Sequence, residues 1–206
     1  MTDHPDHPDH PDHPNPPELW LLRHAATDWS ENGRHTGCRT DLPLNAAGRA
    51  AAMPLRDALE RISFAAVLSS PLSRCMETCR LAGRGDTMKT DPDLVEWDYG
   101  EFEGLTTPQI RERHPGWTIW SGPWPGGETA EEVGARAQRV IAKLRDIPGR
   151  VAIFSHGHFS RVLAATWLGF DASAGKAFAL DTGTYSVLGW EHEYPTLRKW
   201  NEQAGE

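Results

Sequence analysis

The sequence lacks any apolar run long enough to cross a bilayer, and it contains little cysteine and no excess of positive charge. Of its 206 residues, 3 are cysteines, and the formal net charge is −8. A membrane helix needs about 20 consecutive apolar residues, so we expect no membrane-spanning segment and no membrane partner. The first residues also lack the basic and apolar regions of a signal peptide, which predicts a cytoplasmic location.

The cysteine pattern argues against both a disulfide framework and a zinc site. Cys38, Cys75 and Cys79 are odd in number, and no secretory signal accompanies them. Cys75 and Cys79 are four residues apart on a predicted helix, but no histidine or cysteine lies at zinc-ligand spacing from them. We therefore predict buried thiols and no zinc site at these cysteines, and we expect no cofactor.

The charge pattern predicts where an anionic ligand is bound. Four aspartates near the N-terminus, Asp3, Asp6, Asp9 and Asp12, carry half of the net charge of −8. The rest of the chain is mildly acidic and has no basic stripe, so we expect no nucleic-acid partner. An anionic substrate would have to be held by local arginines.

Residues 1–17 form a region of their own. A His-Pro-Asp repeat places histidines at positions 4, 7, 10 and 13, with a proline after each. Proline at every third position blocks helix and ladder hydrogen bonds, so we predict an extended or disordered tail. Such a tail aligns its histidines on one side, which leaves transition-metal binding open beside a purely solvated tail. Residues 18–206 are predicted to form one folded domain.

Apolar runs and helical patterns alternate along this domain. Strands are predicted at 19–22, 65–68, within 87–95, and at 151–154, 185–190 and 194–199. Helices are predicted at 46–62 with a break at Pro54, at 72–82, from the capping box of Thr129 and Glu132 to Leu144, and at 159–168. This alternation predicts an α/β fold, a three-layer α/β/α sandwich whose mostly parallel sheet has helices on both faces.

Polar groups follow several of these apolar runs. Arg23 and His24 follow the first strand, Arg74 lies just beyond the second, and Glu96 and His156 follow later runs. The carboxyl ends of parallel strands meet at one edge of a sheet, so we expect these side chains to converge. A neutral imidazole can attack phosphorus, guanidinium groups can hold the phosphoryl oxygens, and a carboxylic acid can protonate the leaving oxygen. The set therefore indicates phosphoryl transfer through a covalent histidine.

At this point the chain resembles the histidine phosphatase superfamily, the phosphoglycerate mutase-like group. The matching segments occur in family order over about residues 18 to 190. They are Leu22-Arg23-His24-Ala25, Thr27, His35-Thr36-Gly37, Leu42-Pro43-Leu44 with Gly48, Ser69 to Arg74, Glu96 to Gly100, Glu103-Gly104, Gly127-Glu128-Thr129, and Ser155-His156-Gly157-His158. An ordered set of this kind is specific, whereas a lone Arg-His pair is not.

The resemblance implies a role for each matching residue. His24 would be the phosphorylated nucleophile and Glu96 the proton donor, while Arg23, Arg74 and a protonated His156 would hold the phosphate. Thr36 and Gly37 would border the pocket. The residues implied in substrate binding are Arg23, Thr36, Gly37, Arg74, Glu96, Tyr99, His156, Gly157 and His158. Family members work without metal, so the resemblance also implies no metal and a small-molecule phosphate ester as substrate.

Within the family, the run from Glu96 to Arg111 is most similar to the broad-specificity acid phosphatases and the sedoheptulose-bisphosphatase branch. The lysine and paired arginine with which mutases hold a second phosphate are missing, which favours hydrolysis of small phosphorylated metabolites such as sugar phosphates. A phosphoglycerate mutase-type phosphotransferase is one alternative. A catalytically inactive binding module is the other, because Ala25 stands where the family usually has glycine.

Some features stay open at this stage. The tryptophan-rich stretch with Trp117, Trp120 and Trp124 fits either a hydrophobic plug or a lid over the substrate pocket. His35 and His114 are interpreted as surface or loop residues, and His158 as either a substrate contact or a structural residue. A homodimer is left open.

Overall fold

The structure is a computed structural model that describes residues 16–205. Of the predicted tail at 1–17, only Pro16 and Pro17 belong to the described residues; the His-Pro-Asp repeat lies outside them. Pro17 is buried, and its carbonyl accepts a hydrogen bond from Trp190 Nε1 at 3.1 Å. This bond joins the residue just before β1 to Trp190.

A six-stranded mixed sheet forms the middle layer. Its strands are β1 (Glu18–Arg23), β2 (Ala66–Ser69), β3 (Met88–Thr90), β4 (Arg150–Ser155), β5 (Tyr185–Glu191) and β6 (Tyr194–Glu202). The order across the sheet is β3-β2-β4-β1-β5-β6. The first four strands in this order are parallel to one another. Strand β5 pairs antiparallel with β1, and β6 pairs antiparallel with β5. The predicted α/β sandwich with a mostly parallel sheet is confirmed.

Seven α-helices flank the sheet. They are α1 (Asp28–Glu31), α2 (Ala46–Ala52), α3 (Leu55–Glu60), α4 (Ser73–Leu81), α5 (Thr107–Arg113), α6 (Ala130–Leu144) and α7 (Gly157–Trp167), among the described residues. Pro54 separates α2 from α3, as predicted for the 46–62 helix. Neither α1 nor α5 was predicted, because both helices are too short to show an apolar period. For α5 the available signal was the capping box of Thr106 and Gln109.

The core lies on both faces of the sheet. On one face, Val140 of α6 and Leu163 of α7 belong to a buried cluster that includes Leu21 of β1. On the other face, Leu59 of α3 belongs to a cluster that includes Leu22. Neighbouring residues of β1 thus point to opposite layers, because side chains alternate along a strand.

The register of the two central strands places the residues that follow them side by side. Arg23 at the end of β1 pairs with Ser155 at the end of β4. The next amide, that of His24, donates to the Ser155 carbonyl at 2.9 Å. Each strand then continues into a histidine, His24 or His156, so backbone pairing fixes how close the two rings are.

The cysteines are free, and no candidate membrane helix is found among the described residues. Cys75 and Cys79 are buried free thiols, as predicted, and Cys38 is half-buried. Between residues 16 and 205, no helix combines the length and the apolar character needed to cross a bilayer. The same residues contain no cluster of three or more metal-ligating side chains.

Candidate active site

Most of the predicted site residues line one cavity at the carboxyl edge of the sheet, whereas Gly37, Arg74 and His156 are not among its lining residues. It has a volume of about 190 Å³, and its lining residues are Arg23, His24, Ser30, Gly33, Arg34, His35, Thr36, Glu96, Tyr99, Gly157, His158, Arg161 and Leu180. Two larger hollows of about 540 and 570 Å³ lie elsewhere on the surface and contain none of these residues. We assign the chemistry to the smaller cavity, because only there do histidines, arginines and a carboxylate converge.

His24 is held in the orientation and tautomer of a nucleophile. Its ring is buried, and Nδ1 lies 2.8 Å from the carbonyl oxygen of Ala25. A carbonyl can only accept, so Nδ1 carries the proton and Nε2 keeps its lone pair. Burial, with added repulsion from Arg74 and Arg23, lowers the pKa of His24 well below its usual value. The ring is therefore neutral.

Two arginines flank this histidine with unused donors. Arg74 is fully buried, and its guanidinium donates to the carbonyls of Thr40 at 3.2 Å and Gly37 at 2.9 Å. Arg23 donates through Nη1 to the carbonyl of Leu180. The Nε atoms of both arginines are buried without a protein partner, as is the hydroxyl of Thr36. Buried donors without partners are costly, so this group is suited to bind an anion.

His156 lies behind His24 and is fully buried. The two ring centroids are 5.2 Å apart. His156 Nε2 lies 2.8 Å from Ser70 Oγ. Burial and the charge of Arg74 lower the pKa of His156 well below its usual value. In the site without a bound anion, burial beside Arg74 therefore favours the neutral imidazole over the protonated His156 expected from the sequence, because a buried cation there would be unpaired.

Glu96 is fastened by backbone donors from two directions. Its Oε1 accepts hydrogen bonds from the amides of Trp97 at 3.0 Å and Phe159 at 2.8 Å. Its Oε2 accepts one from the amide of His158 at 3.0 Å. The two latter amides belong to the first turn of α7, where they have no partner within the helix and are free to hold the side chain of Glu96 in place. The side chain thus lies across the cavity from the end of β1.

Gly157 and His158 begin α7 and shape the wall beside Arg23. A Cβ on Gly157 would lie 3.1 Å from Arg23 Cζ, so glycine allows the guanidinium to approach the helix. His158 Nδ1 lies 2.6 Å from the Tyr99 hydroxyl, and both residues line the cavity. Burial, with added repulsion from Arg161, lowers the pKa of His158 well below its usual value, so it too is neutral. Tyr99 and His158 form one hydrogen-bonded pair.

Of the predicted site residues, Gly37 contributes to structure instead of lining the cavity. A Cβ at Gly37 would lie 2.6 Å from Glu103 and 2.8 Å from the carbonyl of Trp97. Its own carbonyl accepts from Arg74. The glycine therefore lets two loops pack closely around a buried guanidinium.

Several lining residues were missed from sequence. His35 lies in a loop, as predicted, but it is half-buried, with its ring centroid 5.0 Å from that of Tyr99. Burial lowers the pKa of His35 to about 4. Arg161 stacks over Trp120 at 4.7 Å and donates to the carbonyl of Gly175. The signal for Arg161 was its position three residues after His158, one helical turn along the same face of α7.

The tryptophan-rich stretch packs as a plug. Trp117 is 2% exposed, and the indole of Trp124 donates to the carbonyl of Ile119 at 2.7 Å. Trp120 contacts His158 edge-on, with ring centroids 5.4 Å apart. Ala25 is also accommodated. It is fully buried without a positive φ, and its amide donates to the Thr78 hydroxyl at 3.1 Å.

Comparison with known proteins gives a consistent result. The model of the histidine phosphatase superfamily, branch 1, matches residues 19–203. An acid phosphatase of Mycobacterium tuberculosis is 40% identical over 178 residues, which cover 84% of this chain and 87% of that protein. A sedoheptulose 1,7-bisphosphatase of Saccharomyces cerevisiae is 30% identical over 185 residues, covering 74% of this chain and 68% of that protein.

Solved structures agree with this assignment. An open reading frame of Mycobacterium tuberculosis has a structure that superimposes with a TM-score of 0.84 at 37% identity, covering 91% of this chain and 98% of that one. The chain belongs to the histidine phosphatase superfamily, and it is an enzyme of the phosphatase kind.

Proposed function

We propose that the protein is a metal-independent phosphomonoesterase that hydrolyses small phosphorylated metabolites, namely sugar phosphates, through a phosphohistidine at His24. The observation that carries this proposal is the neutral His24 beside buried, unpaired donors. Its pKa is lowered by burial and by Arg74, and the Nε atoms of Arg23 and Arg74 lack protein partners. An anionic phosphoryl group bound there would satisfy those donors and meet the free Nε2.

In the first step, Nε2 of His24 attacks phosphorus and the ester P–O bond breaks. Arg23, Arg74 and the Thr36 hydroxyl donate to the equatorial oxygens, where charge concentrates in the transition state. A protonated Glu96 gives its proton to the departing alkoxide oxygen. The Nδ1 proton of His24 stays on its bond to Ala25, so the phosphorylated ring keeps a fixed orientation.

In the second step, water attacks the phosphoimidazole. Glu96 removes a proton from that water as the new P–O bond forms and the N–P bond breaks. The electron pair returns to Nε2 of His24, and inorganic phosphate leaves. Glu96 thereby regains the proton that it donated earlier, so the cycle closes without a metal ion or external base.

The cavity supports a small and polar leaving group. Its volume is about 190 Å³, and beyond the phosphate donors it presents Arg34, Tyr99, His158 and Arg161. Hydroxyl, imidazole and guanidinium groups suit the hydroxyls of a sugar better than an apolar group. The relatives named as an acid phosphatase and a sedoheptulose 1,7-bisphosphatase support the same substrate class.

The two alternatives have weaker support. Of the basic residues in the short stretch after Gly104, Arg111 and Arg113 do not line the cavity. Arg111 instead donates to the carbonyl of Trp117 at 2.9 Å. The structure therefore offers no cationic insertion for a second phosphate of the mutase type. An inactive module is not favoured, because Ala25 distorts nothing around His24.

The test is release of inorganic phosphate from a panel of sugar phosphates, phosphoglycerates and nucleotides in EDTA. We expect release by the wild-type protein, none by His24→Ala, and acid-labile label on the wild-type chain after brief mixing with labelled substrate. A His24→Ala variant that releases phosphate at the wild-type rate would exclude the mechanism. Migration of phosphate within phosphoglycerate, without release, would favour the mutase. The cytoplasmic location, the domain limits and the homodimer stay predictions.

A further inference from the structure

Ser70 lies at the end of β2, directly behind the phosphate pocket, and has no role in the mechanism above. The residue is fully buried. Its hydroxyl oxygen is 2.8 Å from Nε2 of His156, a distance typical of a strong hydrogen bond. The neighbouring Ser69 is equally buried but directs its hydroxyl to the carbonyl of Ser70 at 2.8 Å. Only one of the two serines therefore contacts a site residue.

The surrounding bonds indicate which way the proton in this contact points. The amide of Leu72 donates to Ser70 Oγ at 3.3 Å, so this oxygen already accepts one hydrogen bond. Cys75 Sγ lies 3.4 Å from His156 Nε2, but its thiol donates to the carbonyl of Ser155 at 3.3 Å. The Ser70 hydroxyl also hydrogen-bonds with the Cys75 side chain, but its 2.8 Å distance from Nε2 makes it the group best placed to donate to that nitrogen.

The tautomer of His156 decides what it can offer a phosphate. Nε2 is 2.8 Å from the Ser70 hydroxyl, whereas the contact of Nδ1 is the weaker one with Cys75 Sγ at 3.7 Å, so Nδ1 is the nitrogen left for a phosphoryl oxygen. A neutral imidazole has one donor nitrogen and one acceptor nitrogen. If Nε2 accepts from Ser70, Nδ1 bears the proton and can donate to a phosphoryl oxygen; if Nε2 bears the proton, Nδ1 presents a lone pair that repels the anion.

We propose that Ser70 is a positioning residue that selects the Nδ1-protonated tautomer of His156, so that a neutral His156 donates a hydrogen bond to the phosphoryl group. The inference rests on the proposed function, and it removes the need for a buried imidazolium beside Arg74. The charged or titratable groups that face His156 are Arg74, His24, Arg136, Arg23 and Cys75. None of them is an anion that would stabilise a second proton on the ring.

The tautomer can be read without catalysis, by nitrogen-15 NMR of histidine-labelled protein at pH 7.5. The His156 signals are assigned by their loss in His156→Gln. We expect a protonated Nδ1 and a bare Nε2 in the wild-type protein and in Ser70→Thr, which keeps the hydroxyl. In Ser70→Ala we expect a shift towards the Nε2-protonated form, whereas Ser69→Ala should match the wild type.

The kinetic readout is the pH dependence of kcat/KM for a sugar phosphate in the same four proteins. Without the Ser70 hydroxyl, Nδ1 of His156 bears a proton only in the imidazolium or in a minor neutral tautomer. The kcat/KM of Ser70→Ala should therefore rise, relative to wild type, as the pH falls. We expect Ser70→Ala to fall about tenfold or more below wild type at pH 7.5 and to recover part of that loss at pH 5. Ser69→Ala and Ser70→Thr should follow the wild-type profile.

Each outcome has a distinct meaning. An Nε2-protonated His156 in the wild-type protein, or an unchanged tautomer in Ser70→Ala, overturns the proposal. A loss in Ser70→Ala that is equal at every pH overturns it too, because a purely structural role for the Ser70 turn explains that result. If His24→Ala retains wild-type phosphate release, the proposed function fails instead, and the NMR result still reports whether Ser70 sets the tautomer.

Discussion

Arg136 Nη2 lies 2.7 Å from Glu128 Oε2, in an ion pair whose arginine side chain is only 6% exposed. The same guanidinium donates to the carbonyls of Val95 at 2.6 Å and Glu96 at 3.4 Å, and it lies 4.6 Å from the ring centre of Phe159. The pair therefore ties α6 to the backbone that carries Glu96, the proposed proton donor. Arg136, which does not line the cavity, thus helps to fix the position of that carboxyl group.

Replacing Arg136 by alanine should destabilise the protein strongly, because Glu128 and three backbone carbonyls, those of Asp93, Val95 and Glu96, lose their donor. We expect a loss of about 3–5 kcal/mol in the free energy of unfolding, the range for removing one partner of a buried pair. Urea unfolding followed by tryptophan fluorescence measures it. Arg139→Ala is the matched control, since Arg139 is exposed and pairs with Asp93 at the surface, and its curve should match the wild type. Equal curves for both variants would contradict the assignment.

Glu96→Gln should lose most activity on substrates with poor leaving groups. The amide cannot supply a proton, so an alkyl phosphate, whose alkoxide must be protonated, should slow by about 10²–10⁴-fold. The nitrophenolate group of a nitrophenyl phosphate leaves without protonation, so the burst of nitrophenol release from that substrate should slow much less. Glu101→Gln, an exposed carboxylate five residues on, serves as the control. The same loss on both substrates would argue against a proton-donor role.

Gly157→Ala should reduce activity without reducing stability. The new Cβ would lie 3.1 Å from Arg23 Cζ and displace a guanidinium that is expected to hold phosphate. We expect kcat/KM to fall about tenfold or more, since small displacements of positioning groups are costly. Alanine is the better helix former, so thermal unfolding should be unchanged or slightly raised. Lower stability together with full activity would contradict this interpretation.

The buried histidines should make the fold sensitive to acid. Burial lowers the pKa of His24, His156 and His158 well below their usual value and lowers that of His35 to about 4. Below about pH 6.5 the unfolded chain takes up protons that the folded chain does not. The free energy of unfolding therefore decreases as the pH decreases. His35 alone should account for about 1–2 kcal/mol between pH 8 and pH 5.

Urea unfolding at pH 8 and pH 5 checks this expectation. The difference in unfolding free energy between the two pH values should shrink in His35→Gln and persist in His192→Asn, which alters an exposed residue of the β5–β6 turn. Added vanadate or phosphate should raise stability at both pH values if the anion binds the folded state. A pH-independent unfolding midpoint in the wild-type protein would contradict the assignment of neutral buried histidines.

Much of the site could be predicted because its parts are local sequence signals. Apolar runs that end in His24 and His156 identify strand ends, and parallel strands bring such ends to one edge. The members that were missed depend on packing between distant segments. His35 reaches the cavity only because Tyr99 and Trp117 hold its ring, and Arg161 only because α7 begins at Gly157. The neutral state of His156 depends on burial near Arg74, which no local pattern encodes.

The pairing of β1 with β4 separates the two strand-end histidines from the residues proposed to contact the rest of the substrate. The positions of His24 and His156 are set by consecutive backbone hydrogen bonds of the central strands, ending at Arg23 and Ser155. The groups proposed to meet the rest of the substrate, such as Arg34 and Tyr99, come from connecting segments outside the sheet. An exchange of those segments would therefore change the substrate contacts without moving the two histidines.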